Sequence, residues 1–134
     1  MSLGTIKDVV IATVDVANLN NRVYPKNVIE EAVRQRVHPI FGRVGMPEAG
    51  SSCEVDLRDV SHQVTDLRIT EDGNLTGTVV VLDTPPGRLL TSLLTENLDI
   101  TFRMAGYGDL IDKDGYTEVT NFRLSSINAV ADGA

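Results

Sequence analysis

Few residues in this chain are of a type that could do acid–base, nucleophilic or metal chemistry. It holds two histidines, His38 and His62, and one cysteine, Cys53. A cysteine nucleophile needs a neighbouring base. The sequence places none beside Cys53, so a small, partly buried side chain is expected there. Asp109, Asp112 and Asp114 lie close together but lack the distal glutamate of a calcium loop, and a turn is the expectation. No three or four His, Cys or carboxylate side chains fall at metal-ligand spacing, so neither a metal nor a cofactor is predicted. Gly106-Tyr107-Gly108 precedes no helix and is not a phosphate loop. His38, beside Pro39 at a helix end, is placed to face the C-terminal dipole of that helix.

The elements that must position these residues are short and alternate in type. Lys7 to Val16 carries Val9, Val10, Ile11, Val14 and Val16 and reads as a buried strand. Asn18, Asn20 and Asn21 then form a polar loop. Pro25 opens a helix running to about Arg36, with Val28, Ile29, Ala32 and Val33 as its apolar stripe. Phe41 to Asp56 reads as a long loop, a kind of segment that is often functional. Ser61–Thr70 and Leu75–Leu82 form a hairpin about Glu71–Asn74, and a phase slip between Val64 and Leu67 predicts a bulge. Thr84 caps a second helix that begins at Pro85, carries a core stripe of Leu89, Leu90, Leu93 and Leu94, and ends near Asn97. Leu98, Ile100, Phe102 and Met104 alternate with polar residues as a strand that Gly106 and Gly108 end. A last strand-like run covers Tyr116 to Val130.

That order predicts an α+β domain over residues 1–134: a mostly antiparallel, barrel-like sheet with two or more outer helices. The 134 residues allow one ordinary domain, and a hydrophobic content of 42% supports a packed core. A net charge of −7, with the 12 basic residues scattered singly, argues against nucleic acid as a partner. No apolar run approaches the roughly 18 residues of a membrane span. The first residues lack the pattern of a signal peptide, and a single cysteine suits a reducing compartment.

Several segments together resemble the phage prohead serine proteases, which share a fold with the herpesvirus assembly proteases. Asn20-Asn21-Arg22-Val23-Tyr24-Pro25 resembles the family's Asn-Gly-Arg-Ile-Tyr-Pro before its first helix. Val60-Ser61-His62 resembles its Val-Ser-His, and Thr84-Pro85-Pro86-Gly87 its Thr-Pro-x-Gly. Asn121–Leu124 through Ile127–Val130 resembles its final strand. The matches span about nine-tenths of the chain, in order, and imply an assemblin-like fold.

The departures bear on activity. The family's catalytic histidine lies in Gly-Glu-Leu-Asp-His-Pro, where this chain reads Gly42-Arg43-Val44-Gly45-Met46-Pro47, so Met46 stands at the histidine's place. The family's Ser-Ser-Arg-Gly reads here Thr101-Phe102-Arg103-Met104. A third, acidic member falls at Asn128. A serine mechanism needs a base and a group that orients it, which neither methionine nor asparagine supplies. The resemblance therefore leads to the expectation of a pseudo-protease, not an enzyme. Its expected role is as inhibitor or regulator of a prohead protease, or as a structural prohead-core component. The alternative is a serine/threonine-type endopeptidase with rearranged residues, in which Thr101 pairs with His62. His62 is otherwise expected to be a hydrogen-bonded structural residue. Arg103 is expected either to pair with a carboxylate or, with His62 and Thr101, to line a residual peptide or partner groove. The implied partners are a prohead protease or scaffold and core proteins, in a homodimer or heterodimer. The implied location is the host cytoplasm during assembly, including the prohead core.

Overall fold

The computed structural model describes residues 2–36, 39–48 and 51–131. The β-branched N-terminal run forms β1, Ser2–Thr13, which pairs antiparallel with β5, Asn74–Leu82. It starts earlier than expected, because Ser2 and Gly4 already pair with Leu82 and Val81. It also ends earlier. Val14 turns its N–H to Gly73 O, and Asp15 takes a positive φ of 62° that breaks the strand.

A two-residue strand, β2 (Arg22–Val23), leads through Pro25 into α1, Lys26–Arg34. The helix buries Ile29 and Ala32, so the expected stripe faces the core. The predicted loop beginning at Phe41 contains a strand. Ile40–Gly42 forms β3, paired antiparallel with β4, His62–Ile69, so that Gly42 lies opposite His62. Gly42 is required at that position, because a Cβ there would fall 1.9 Å from Ile127 O and 2.1 Å from His62 Nε2. A 3-10 turn, Leu57–Asp59, precedes β4.

β4 and β5 form the predicted hairpin, and their register shifts between Thr65 and Arg68, where Asp66 has a φ of 54°. Thr84 caps α2, Pro85–Thr95: its hydroxyl accepts from Gly87 N at 3.0 Å and donates to Val60 O at 2.6 Å. Only part of the leucine stripe is core. Leu90 is fully buried while Leu89 is 51% exposed, because the short helix meets the sheet along a narrow line. β6, Ile100–Lys113, does not stop at its glycines. It runs through Gly106, where a Cβ would meet Arg123 O at 2.0 Å, so glycine permits close strand approach there. β7, Tyr116–Ala131, pairs antiparallel with β6 along nearly its whole length.

The strands form two sheets, not one barrel-like sheet. Sheet A has the order β1-β5-β4-β3 and sheet B the order β2-β7-β6. Closure would require β1 to hydrogen-bond to β6, yet each ends its own sheet. The core lies between the sheets and the helices, around Ile29, Ile40, Val64, Leu75, Leu90 and Ile127, each at most 1% exposed. Burying each of the larger aliphatic side chains contributes about 1.5–3 kcal/mol. No helix among the described residues is long and apolar enough to cross a membrane.

Candidate functional site

Strand alternation sorts the polar side chains of sheet B onto two faces. Phe102 pairs with Ala129 and Met104 with Ile127, and these residues face sheet A. Thr101 pairs with Val130, Arg103 with Asn128 and Ala105 with Ser126, on the opposite face. The segment after β3 first pairs in parallel along the edge of β7 opposite β6, and at Met46 and Cys53 it lies over that second face. Gly45 N donates to Ala129 O at 2.7 Å, Val44 forms a parallel bridge to Ala129, and Ser126 Oγ donates to Cys53 O at 2.8 Å. The long loop therefore works as a strap over β7.

The strap brings Met46 to Asn128. Asn128 is fully buried: its Oδ1 accepts from Arg43 N at 3.1 Å, and its Nδ2 faces Ser126 Oγ at 3.1 Å and Met46 Sδ at 3.8 Å. Met46 is 39% exposed. Residues far apart in sequence thus share one face: Met46 touches Asn128, Arg103 is Asn128's cross-strand partner, and Thr101 lies two residues further along β6. Phe102, between them, points into the core. Cys53 is partly buried under the strap, with its N–H donating to Tyr107 Oη at 2.9 Å.

His62 lies on the other side of sheet B. It is fully buried and meets β6 through Phe102, edge to face, with ring centroids 5.2 Å apart. Its Nε2 is 2.7 Å from Ile127 O, which can only accept, so Nε2 carries the proton. Nδ1 then accepts from the Ser61 hydroxyl at 2.7 Å. Burial, opposed by the Ile127 carbonyl, pushes the His62 pKa down to about 4. A serine hydroxyl donating to imidazole is the geometry of an activated nucleophile, but Ser61 and His62 are both sealed from solvent. The structure does not bring Thr101 and His62 together, and His62 is remote from any open groove. The adjacent Ser61-His62 in the sequence was the signal that could have revealed this pair.

A cleft runs along the unpaired edge of β6. One cavity of about 460 Å³ is lined by Thr101, Arg103, Val10 and Leu19 among others. A second, of about 170 Å³, adds Arg22, Tyr24 and Met46 and shares Arg103 with the first. Burial holds the Tyr24 hydroxyl above its ordinary pKa against the pull of Arg22 and Arg103, whose guanidinium groups lie close enough to oppose it. Neither cavity is lined by a carboxylate, although the chain has 19 acidic and 12 basic residues. Arg22 and Tyr24 belong to a segment whose part in the site the sequence did not reveal. His38 lies outside the described residues. Among the described residues no three His, Cys, Asp or Glu side chains are grouped to hold a metal.

Among solved structures, the fold is similar to that of the bacteriophage T4 capsid assembly protease, gp21. The TM-score is 0.80 and the identity 22%, over 95% of this chain and 90% of the T4 chain. No protein-family model matches the chain, and no curated protein matches it. The fold is therefore that of a phage capsid assembly protease. This corrects the expectation of a pseudo-protease that is no enzyme. The structural neighbour is itself a protease, so the likeness, which reaches the fold, gives that expectation no support.

Proposed function

We propose that the chain works in phage head assembly by seating an extended, acidic segment of a head protein in the cleft along β6. The observation that carries the reading is the composition of that cleft. Two guanidinium groups and no carboxylate line a channel in an otherwise acidic chain, beside a strand edge with unpaired backbone groups. An extended peptide can hydrogen-bond to such an edge, while Arg22 and Arg103 favour a carboxylate on the incoming segment. The shared fold of a capsid assembly protease supports phage head proteins as the source of that segment. This puts the work in the host cytoplasm, including the prohead core.

Two outcomes follow seating. In one, the peptide is cut, with the hydroxyl of half-buried Thr101, which lines the cleft, as the nucleophile candidate on that face. In the other, it is retained, and the chain regulates or inhibits a prohead protease by competing for its cleavage segments. Fluorescence anisotropy with labelled scaffold-protein peptides, read together with mass spectrometry of the same mixtures, tests both. Acidic peptides are expected to bind at least about tenfold more tightly than Lys-substituted versions, as befits one charge-assisted hydrogen bond. Arg103→Met should remove that preference. Cleavage lost in Thr101→Ala identifies the endopeptidase, and intact bound peptide identifies the regulator. Absence of binding, or a preference untouched by Arg103→Met, ends the reading.

A further inference from the structure

The far end of β6 has no role in the cleft. Seven consecutive residues of the strand, Tyr107 to Lys113, are exposed. Leu110 is 55% and Ile111 42% exposed, and β6 is the terminal strand of sheet B. A long edge strand without proline is a template for pairing with another chain, and the residues on this edge say which chain.

The two-residue turn at Asp114–Gly115 makes Lys113 and Tyr116 a hydrogen-bonded pair. Pairing is regular from Asp109 to Lys113, so the N–H and C=O groups of Leu110 and Asp112 point away from β7, outward. Only registers that oppose even-numbered residues can use those groups. A two-fold axis at Ile111 sets Leu110 against Asp112 of a second copy, and both backbones are satisfied. On the neighbouring face the strand reads Asp109, Ile111, Lys113, and the antiparallel copy reads Lys113, Ile111, Asp109. Each end then carries an opposite-charge pair at the closest cross-strand spacing, with isoleucine on isoleucine between them. An axis at Asp109 or Asp112 would oppose like charges. An axis at Leu110 would leave Asp109 against isoleucine. Glu118, across from Ile111 on the same face, adds attraction for the incoming lysine.

We infer that a second copy of this chain docks on the β6 edge, antiparallel and isologous about Ile111. The strand pair forms a six-stranded sheet from two copies of sheet B. It does not depend on the peptide reading, since it uses residues 109–113 and the cleft uses residues 101–104.

Sedimentation velocity up to roughly 1 mM protein, where binding free energy falls to about −4 kcal/mol, tests this. Dimer is expected for the natural sequence and monomer for Lys113→Glu, which sets like charges opposite. The double exchange Asp109→Lys with Lys113→Asp is expected to restore dimer, since it preserves complementarity. Ile111→Cys in a Cys53→Ser background is expected to oxidise to a covalent dimer, because the two positions coincide on the axis. Asp109, Ile111 and Lys113 are exposed and Cys53 is partly buried, and a circular-dichroism melt checks that each variant is folded. A monomer throughout, an assembly larger than a dimer, or a charge exchange that behaves like Lys113→Glu would overturn the inference.

Discussion

The two faces of sheet B treat polar side chains in opposite ways. On the face toward sheet A, Ser61 and His62 are sealed, and every polar atom of the pair has a neutral partner. On the face under the strap, polarity grades outward from buried Asn128 through Arg103 to exposed Met46 and the cleft. The same two strands, β6 and β7, support both. The difference lies in what covers them: a packed sheet in one case, a single loop segment in the other. A reactive-looking hydroxyl–imidazole pair thus sits where no substrate can reach it, and the accessible face offers a hydroxyl without imidazole. Access, and not residue type alone, separates a structural polar pair from a chemical one.

The largest effect is expected where the sealed face is tightest. Gly42→Ala drives a methyl group into Ile127 O and the His62 ring, and neither a backbone carbonyl nor a doubly bonded imidazole can move aside cheaply. A loss of about 4 kcal/mol or more is expected, seen as a drop of about 10 °C or more in Tm. A methyl group accepted there with little change in Tm would mean the corner is loose, and the contrast between the faces would fail.

His62 itself comes next. His62→Ala leaves a cavity and unpairs Ser61 Oγ and Ile127 O, for about 3 kcal/mol. The pH dependence is sharper evidence. The folded pKa of about 4 lies below the ordinary 6.5, so between these values the unfolded chain binds the proton more readily. The stabilisation is fully present above pH 6.5 and is lost as pH falls toward 4. The difference corresponds to about 3 kcal/mol. Urea denaturation between pH 7 and pH 4 should show this decline, and His62→Gln should flatten it. Asp56, held down to about 2 by its hydrogen bonds with Arg58, acts in a separate window below its ordinary 3.8. A natural protein whose stability is level between pH 7 and pH 4 would place His62 in contact with water.

Asn128→Leu probes the inner edge of the other face. It removes the acceptor of Arg43 N–H and the partner of Ser126, leaving a strap amide unpaired. About 2 kcal/mol is expected, together with faster amide exchange at Arg43.

Much of the scaffold was legible because it rests on local rules. The bulge near Asp66, the Thr84 cap and the β4–β5 turn each follow from a few neighbouring residues. Two helices and mostly antiparallel pairing also followed from element order. What failed depends on long-range contact. Gly106 looked like a terminator, since the sequence does not show that Arg123 O lies against it. Phe41 and Gly42 looked like loop because so short a stretch carries no period, and only β4 makes Ile40–Gly42 a strand. The barrel-like sheet divided in two because closure depends on how β1 and β6 meet, which neither strand encodes alone. For the site, the contact of Met46 with Asn128 depends on where the segment after β3 runs, and the side of the sheet on which His62 falls is a matter of register. A one-residue difference in pairing would exchange the faces.

The smallest effect is expected at the rim. Met46→Leu conserves volume at a position that is 39% exposed and gives up only a 3.8 Å contact between a thioether and the Asn128 amide. Sulfur is a weak acceptor, and Asn128 keeps Arg43 N and Ser126 Oγ. The change in unfolding free energy should therefore stay under about 1 kcal/mol, measured by urea denaturation. A loss above about 2 kcal/mol would mean that the thioether belongs to the buried network and that Met46 closes the strap over sheet B. The two faces would then be sealed alike, and the cleft would have to open by movement of the strap before any peptide could enter beside Arg103.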